Sequence, residues 1–494
     1  MPQQPTYRPE TAILELGNDF YDPVGAADFP QTILRFRNDK AAAQVGLDGL
    51  TDEAWLRHFG RFEPLPGNLE QPLALRYHGH QFRTYNPDLG DGRGFLFAQL
   101  RDDRGRLMDL GTKGSGQTPW SRFGDGRLTL KGGMREILAT EMLEALGVET
   151  SRTFSLIETG EALHRGDEPS PTRSAVMVRL SHGHIRIGSF QRLAYLDERD
   201  NLRRLVDYSL RHYFPEDRHC EAHGDEAIHG SGPEDGLLRS ARNDGEKASD
   251  GEKAVALLGY VVRATARLAA SYIAAGFVHG VLNSDNINIT AESFDYGPWR
   301  WTPMWDGHFT AAYFDHAGLY SFGRQPEAIH WDVVQLAMSL REIAPAEALT
   351  EALDAFPELF QTALRDQIFW RLGIVAGDEE EDSQLLVAIE QALAKQTVEI
   401  DRFFFDWRGG RRRGLSPADP AYQAAEFQAL AAGLERRQGI PAALDHDYWS
   451  DAAPCSMHIE EVEAIWARIA EADDWSLLEA KVAAIRRMGE AHRS

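Results

Sequence analysis

Cysteine is almost absent from the 494 residues, which contain only Cys220 and Cys455. Two cysteines cannot build a disulfide scaffold, and their separation fits no zinc pattern, so reduced thiols are favoured over a single bridge. Basic residues are also scarce: 52 Lys and Arg stand against 76 Asp and Glu, a formal charge of −24. That balance argues against a general nucleic-acid binder, which needs an excess of base to meet phosphates, and against residence on an anionic membrane surface. It favours solubility, and any site for a polyanion must be a local basic pocket. No run of apolar residues approaches the eighteen that a membrane span needs, and Met1 to Glu10 has no signal-peptide core. The sequence therefore predicts a cytoplasmic protein with neither a nucleic-acid nor a membrane partner; nothing in it encodes an oligomeric state.

What is present is 43% hydrophobic, in a chain long enough for two or three domains. Short helical patterns broken by proline fill residues 1–72, an N-terminal extension. Strand patterns with turns dominate 73–195: Leu73–Tyr77, Phe95–Leu100 and Leu107–Leu110 with Lys113, then Ser151–Glu158, a turn at Thr159–Gly160, and Ala175–Leu180. One helix crosses this region, because Met134, Ile137, Leu138, Met142 and Leu146 recur at helical spacing before Gly147. Residues 196–340 carry an acidic, glycine-rich insertion at about 215–254, then a helix over Ala254–Ala275 and loops dense in Gly, Asn and Asp. In the insertion, His219, Cys220, His223 and His229 lack zinc spacing and read as a solvated loop. Residues 341–494 read as largely helical. The expected class is α+β, a strand-rich lobe followed by a helical one.

Four constellations carry chemistry. His279-Gly280-Val281-Leu282-Asn283-Ser284-Asp285-Asn286 is followed by Asp295-Tyr296-Gly297. Kinases of the protein-kinase fold place a catalytic Asp two residues after such a His, an Asn five residues later and a metal-binding Asp beyond. Asn286 and Asp295 fall in the metal-ligand places, and their oxygens suit Mg²⁺ or Mn²⁺. Val281 occupies the catalytic place and cannot take a proton; Asp285 is the nearest replacement. The alternative is a pair of ordinary Asn/Asp turns. Gly90-Asp91-Gly92-Arg93-Gly94 precedes Lys113, and Glu136 is the candidate partner for that lysine. Such glycines let backbone N–H groups approach phosphate, although a plain hairpin turn or a solvated Glu136 fits as well. Lys113 to Arg127 is locally basic and glycine-rich. Arg179 and Arg186 could clamp an anion or lie at the surface. His78-Gly79-His80 and His182-Gly183-His184 could ligate metal, but structural roles are favoured.

Together Tyr77-His78-Gly79-His80-Gln81-Phe82, Leu89-Gly90-Asp91-Gly92-Arg93, the run from Lys113 to Arg127, Asn283-Ser284-Asp285-Asn286 and Asp295-Tyr296-Gly297-Pro298 resemble the selenoprotein O family. The resemblance covers roughly residues 15 to 335 well and the helical remainder loosely. It implies a protein-kinase-like bilobal fold with a helical C-terminal extension, and transfer of AMP from ATP to Ser, Thr or Tyr hydroxyls of proteins, with ATP bound in a flipped orientation. By the same resemblance Gly90, Gly92, Arg93, Lys113, Asp125, Gly126, Arg179, Arg186 and Asp295 contact nucleotide and Glu136 pairs with Lys113. Asp285 accepts the proton, and Asn286 and Asp295 hold the metal. A γ-phosphoryl kinase and a non-catalytic nucleotide-binding scaffold are the alternatives. AMP against UMP, Mg²⁺ against Mn²⁺ and the protein targets stay open. Many members end in a Cys or selenocysteine; this chain has none after Cys455.

Overall fold

The strands that carry the candidate residues are apolar on both faces, and both faces are covered. In the computed structural model, which describes residues 6–166, 168–215 and 248–493, β7 (Leu96–Arg101) and β8 (Leu107–Lys113) are buried at every position except Arg101. Alternate residues feed two cores. Leu96, Leu107, Ala175 and Met177 join one, with Met134, Ile137 and Leu138. Phe97, Met108, Leu110, Val176 and Val178 join the other, with Trp55, Phe59 and Phe154. Period-two alternation thus survives in composition-blind form: both sides are apolar, as in a sheet packed on each face.

The sheet is antiparallel. Its main path runs β2 (Tyr21–Pro23), β4 (Leu73–Leu75), β7, β8, β11 (Thr172–Ser181), β10 (Arg152–Leu163) and β3 (Ile33–Arg37). β1 (Pro9–Glu10) adds to β7 and β9 (Leu128–Thr129) to β11. Strands from residues 1–72 therefore belong to the same sheet as those beyond. β5 (Gly79–Gln81) and β6 (Thr84–Asn86) form a separate hairpin, and β12 (Phe277–His279) pairs with β13 (Trp299–Trp301). Helices α1 (Asp39–Gln44) and α2 (Asp52–Gly60) cover one face of the sheet. Helix α3 (Leu130–Ala145) covers the other, and α4 (Ile187–Tyr195) and α5 (Arg199–Tyr213) follow.

Within the sheet region two expectations are corrected. The turn placed at Thr159–Gly160 lies inside β10: a register shift between Glu158 and Ala162 absorbs it, and Gly160 takes φ +77°. The bulge accommodates the glycine while pairing continues to Leu163. Helix α3 begins at Leu130, four residues early, because the Thr129 hydroxyl caps Gly132 and Gly133 packs so closely on Leu156 that a Cβ there would overlap it.

Helix α6 (Asp250–Ala275) starts with a capping box, Ser249 and Glu252, and stops at Gly276 with φ +70°. The acidic insertion expected to reach residue 254 therefore ends earlier; residues 216–247, with His219, Cys220, His223 and His229, lie outside the described residues. By length and composition α6 could cross a membrane, contrary to the reading of its sequence, but 61% of its most apolar window is buried inside the protein. It packs among α7 (Gln325–Leu340), α8 (Ala346–Asp354) and α9 (Phe356–Leu372). α10 (Glu379–Leu393), α11 (Ile400–Asp406) and α12 (Ala425–Leu434) build a further core around Phe403, Phe404 and Trp407. α13 (Ile459–Ala472) and α14 (Ser476–Arg493) complete the chain, and Cys455 before them is a free thiol.

Helix α14 returns to α3. Arg486 forks onto Glu141, Nε to Oε2 at 2.8 Å and Nη2 to Oε1 at 2.6 Å, and Gly489 rests on Ala145. Glu141 is buried, so losing Arg486 strands its charge. We expect Arg486→Ala to cost about 2–3 kcal/mol in denaturant unfolding, and Arg486→Ala with Glu141→Gln to recover part of it. An unchanged midpoint would mean the C-terminal helix does not clamp α3.

Candidate active site

Strand β8 ends at Lys113, whose ammonium is buried between two carboxylates: 2.5 Å from Glu136 on α3 and 2.8 Å from Asp295 on the loop before β13. Glu136 is 2% exposed. Helix α3 is buried nearly all round, so the position opposite its strongest apolar stripe faces the sheet and not water; the solvated reading of Glu136 falls for that reason. Asp295 holds φ +61°, a left-handed backbone that a non-glycine residue adopts at a cost.

Antiparallel register sets Arg179 opposite Gly111, next to the Lys113 end of β8. Arg186 caps the start of α4, and the Ile187 N–H donates to the Ile287 carbonyl, tying that helix to the Asp285 loop. Both arginines are buried, which excludes the surface reading. Arg179 Nη1 lies 3.7 Å from Asp295 Oδ1 and Arg186 Nη1 3.8 Å from Asp295 Oδ2. Burial pushes the Asp295 carboxyl up, but Lys113, Arg179 and Arg186 together hold it well below its ordinary value. Both guanidiniums lie over Phe294, and Arg186 also over Tyr77, at 4.4–5.0 Å from the ring centres. Arg179 Nε and Nη1 and Arg186 Nε are buried without a hydrogen-bond partner. Such donors match an anion in the adjoining space.

The Asn283–Asn286 turn presents Asp285, which is buried with Oδ1 unpartnered. Burial pushes its carboxyl up to about 6 against the pull of Arg186, which itself donates Nη1 to the Asp285 carbonyl at 2.7 Å. Asn286 donates Nδ2 to the Val281 carbonyl at 2.9 Å, which leaves its side-chain oxygen as an acceptor. Asp91 accepts from Leu75 N–H at 3.0 Å and lies 3.3 Å from Arg186. Gly90 and Gly92 carry no side chain because Trp120 fills the space; a Cβ on Gly90 would overlap the indole. Asp125 receives both terminal nitrogens of Arg165, at 2.8 and 3.1 Å, and Gly126 turns with φ +70° against the Gly116 backbone.

One cavity of about 710 Å³ gathers Gly90, Gly92, Arg93, Lys113, Asp125, Gly126, Arg179, Arg186, Asp285, Asn286 and Asp295 in its wall; Glu136 stands behind Lys113. Seven cationic side chains (Arg93, Lys113, Arg122, Arg127, Arg165, Arg179, Arg186) face four aspartates there, in a chain with a formal charge of −24. The pocket is therefore suited to a polyanion such as a nucleotide triphosphate.

A divalent cation fits the donors present. Asn286 and Asp295 offer oxygens into the same cavity, and among the described residues no group of three or more His, Cys, Asp or Glu forms a cage. Mg²⁺ is commonly held by one or two protein oxygens together with substrate phosphates. The His-Gly-His segments take other roles: His78 Nδ1 meets Tyr85 O–H at 2.7 Å, His80 meets Gln191 at 2.7 Å, and His184 lies 3.3 Å from Asp109. Sequence reasoning gave no role to Asp91, Tyr77 or Phe294. Asp91 and Tyr77 stand inside motifs that carry the resemblance, but no local pattern shows two aromatic faces meeting one guanidinium.

Residues 4–425 match the family described as protein adenylyltransferase SelO. The chain is 41% identical over 493 residues to the protein nucleotidyltransferase YdiU of Synechocystis sp., covering 95% of each chain. It is 38% identical to the protein nucleotidyltransferase YdiU of Trichormus variabilis, over 94% of this chain and 93% of that one. The protein nucleotidyltransferase YdiU of Gloeobacter violaceus is 41% identical, over 94% and 92%.

Replacing Asp295 by Ala would leave Lys113, Arg179 and Arg186 facing one another. We expect a loss of about 2–3 kcal/mol in ligand-free unfolding, and a larger gain in melting temperature from inorganic triphosphate than the wild type shows. Equal gains would mean that Asp295 does not balance an anion-binding cluster.

Proposed function

The chain belongs to the protein adenylyltransferase SelO family and is a nucleotidyltransferase enzyme; from that premise we propose that it moves AMP from ATP to Ser, Thr or Tyr hydroxyls of other proteins. The observation that carries the reading is the cluster of unpaired arginine donors around Asp295, in the wall of the same cavity as the buried Asp285, whose carboxyl is raised. We read the architecture as a protein-kinase-like bilobal fold, with strand-rich residues 73–195, helical residues 196–340 and a helical remainder.

On this reading ATP lies in the flipped orientation, its β- and γ-phosphates against Lys113, Arg179 and Arg186. The glycines at 90 and 92 let the backbone approach the nucleotide, and Arg93, Asp125 and Gly126 border it. Asp285 takes the proton of the acceptor hydroxyl. The hydroxyl oxygen bonds to the α-phosphorus, the bond to the α–β bridging oxygen breaks, and pyrophosphate leaves into the cationic pocket, where fixed positive charge meets the developing negative charge. Asn286 and Asp295 would hold Mg²⁺ or Mn²⁺, which when bound supplies Lewis-acid polarisation of the phosphate oxygens. A γ-phosphoryl kinase is the second reading; Val281, which cannot accept a proton, disfavours it.

ATP labelled at the α- or the γ-phosphate separates the two. With Mg²⁺ or Mn²⁺ and a protein acceptor, label should enter protein from the α-position and be lost in Asp295→Ala. Entry only from the γ-position would make the enzyme a kinase.

The Asp285 carboxyl must be ionised to accept a proton. We therefore expect transfer to fall as pH drops through about 6, and Asp285→Asn to leave at most a residual transfer without that limb. A carboxyl raised in the folded state favours folding at low pH and loses that contribution as pH rises through its folded value. Asp285→Asn should accordingly be no less stable than the wild type at pH 7. A clear loss of stability would show that the carboxylate is a structural anchor.

A further inference from the structure

The β5–β6 hairpin connects through two residues, Phe82 and Arg83, both with positive φ, +49° and +61°. Positive φ at both central positions is the type I′ pattern, which favours Asn-Gly and disfavours bulky side chains. The strained pair sits on the Asp285 turn. A Cβ on Gly79 would lie 2.8 Å from that of Asp285. The His80 N–H donates to Ser284 Oγ at 2.8 Å, and the Phe82 N–H donates to Asn283 Oδ1 at 3.1 Å. Tyr320 O–H donates to the same oxygen at 2.8 Å.

The result is an outward-facing aromatic ledge. Phe82, 37% exposed, meets Phe314 edge-on at 5.8 Å and Tyr320 at 5.1 Å; Tyr313, 80% exposed, meets Phe314 at 5.1 Å. Arg83 is engaged by Glu327 at 2.8 Å, which leaves the exposed rings as the apolar part of this surface. Gln81, Asn283 and Asp285 line the cavity, and Phe82 follows Gln81 and bonds to Asn283, so the ledge adjoins the cavity wall. Backbone strain spent on holding an apolar ring in water beside a reactive site marks a binding surface.

Resting on the transfer reading above, we propose that this ledge docks an extended segment of the acceptor protein that carries an aliphatic or aromatic side chain beside the hydroxyl delivered to Asp285. An acceptor whose hydroxyl sits at Asp285 has the adjoining ledge within reach of its neighbouring residues, and on the same reading the cationic floor is taken by the triphosphate. The ledge then sets which hydroxyls react.

The test uses the full-length protein and short labelled peptides with one central serine, flanked by leucines or by aspartates. Fluorescence anisotropy should give about tenfold tighter binding of the leucine peptide. Phe314→Ser and Phe82→Asn should each remove most of that preference. Phe82→Asn is the sharper variant, because Asn suits the left-handed turn: its melting temperature should hold or rise while binding falls. Equal affinity for the two peptides, or unchanged binding in both variants, would overturn the ledge. Transfer of α-label is read in parallel. Ledge-dependent binding without α-label would support the surface and overturn the transfer reading; α-label that is indifferent to Phe82 and Phe314 would overturn the surface and leave the transfer reading standing.

Discussion

The site depends on one half-buried carboxylate that meets three cations. Asp295 is 23% exposed and stands within 2.8 Å of Lys113 and within 3.8 Å of Arg179 and Arg186. Without it three positive groups would face one another in a partly buried space, where each pays desolvation and repels the others. Each of the three comes from a different part of the fold: the end of β8, the interior of β11 and the start of α4. The sheet register, the docking of α4 on the Asp285 loop and the left-handed backbone of Asp295 all serve to bring these groups to one carboxylate. Glu136 then takes the other side of the lysine, which ties α3, and through Arg486 the C-terminal helix, to the same cluster.

The surrounding features are costs accepted for that arrangement. Asp285 is buried with an unpartnered oxygen, Asp295 and the Phe82–Arg83 turn sit in left-handed backbone, and guanidinium nitrogens of Arg179 and Arg186 go without hydrogen bonds. None of these helps the chain fold. Four of them meet at one cavity; single concessions also occur in the apolar cores, where Phe62 holds φ +58° and the Trp299 and Trp301 indole nitrogens are buried without a partner. What sets the cavity apart is that its unpartnered groups are charged, a cost expected where a site must be ready for charge that arrives only with a ligand.

Residue chemistry and local periodicity made the strands and the α3 and α6 helices legible, and the glycine, lysine and Asn/Asp segments stood out as candidates. What the sequence could not show was depth. Glu136 lies off the main apolar stripe of α3, and periodicity alone allows it to face water; only packing on both sides of that helix makes its position interior. Arg179 and Arg186 are ordinary arginines until the register of β11 against β8 and the cap of α4 bury them. The Thr159–Gly160 pair has turn chemistry, and a bulge satisfies it as well as a turn does. The strands Pro9–Glu10, Tyr21–Pro23 and Ile33–Arg37 are two to five residues long, too short for alternation to register against proline-broken surroundings. In each case the missing information is a long-range contact, which a local pattern does not contain.

Arg186 links the two halves of the proposed chemistry. Its guanidinium lies 3.8 Å from Asp295 in the cationic cluster, and it also donates 2.7 Å to the backbone carbonyl of Asp285. Negative charge gathering on a departing pyrophosphate would draw on the same side chain that positions the proton acceptor. The pull of Arg186 also lowers the Asp285 carboxyl from the value burial alone would set, leaving it near 6. At that value the carboxylate is ionised at neutral pH yet remains basic enough to take a proton. Had the proton acceptor stood at position 281, two residues after His279, it would lie outside the grip of this arginine on the Asp285 backbone. On the proposed reading, a proton acceptor at position 285 has its base strength coupled to the anion pocket, which gives the valine at 281 a physical rationale.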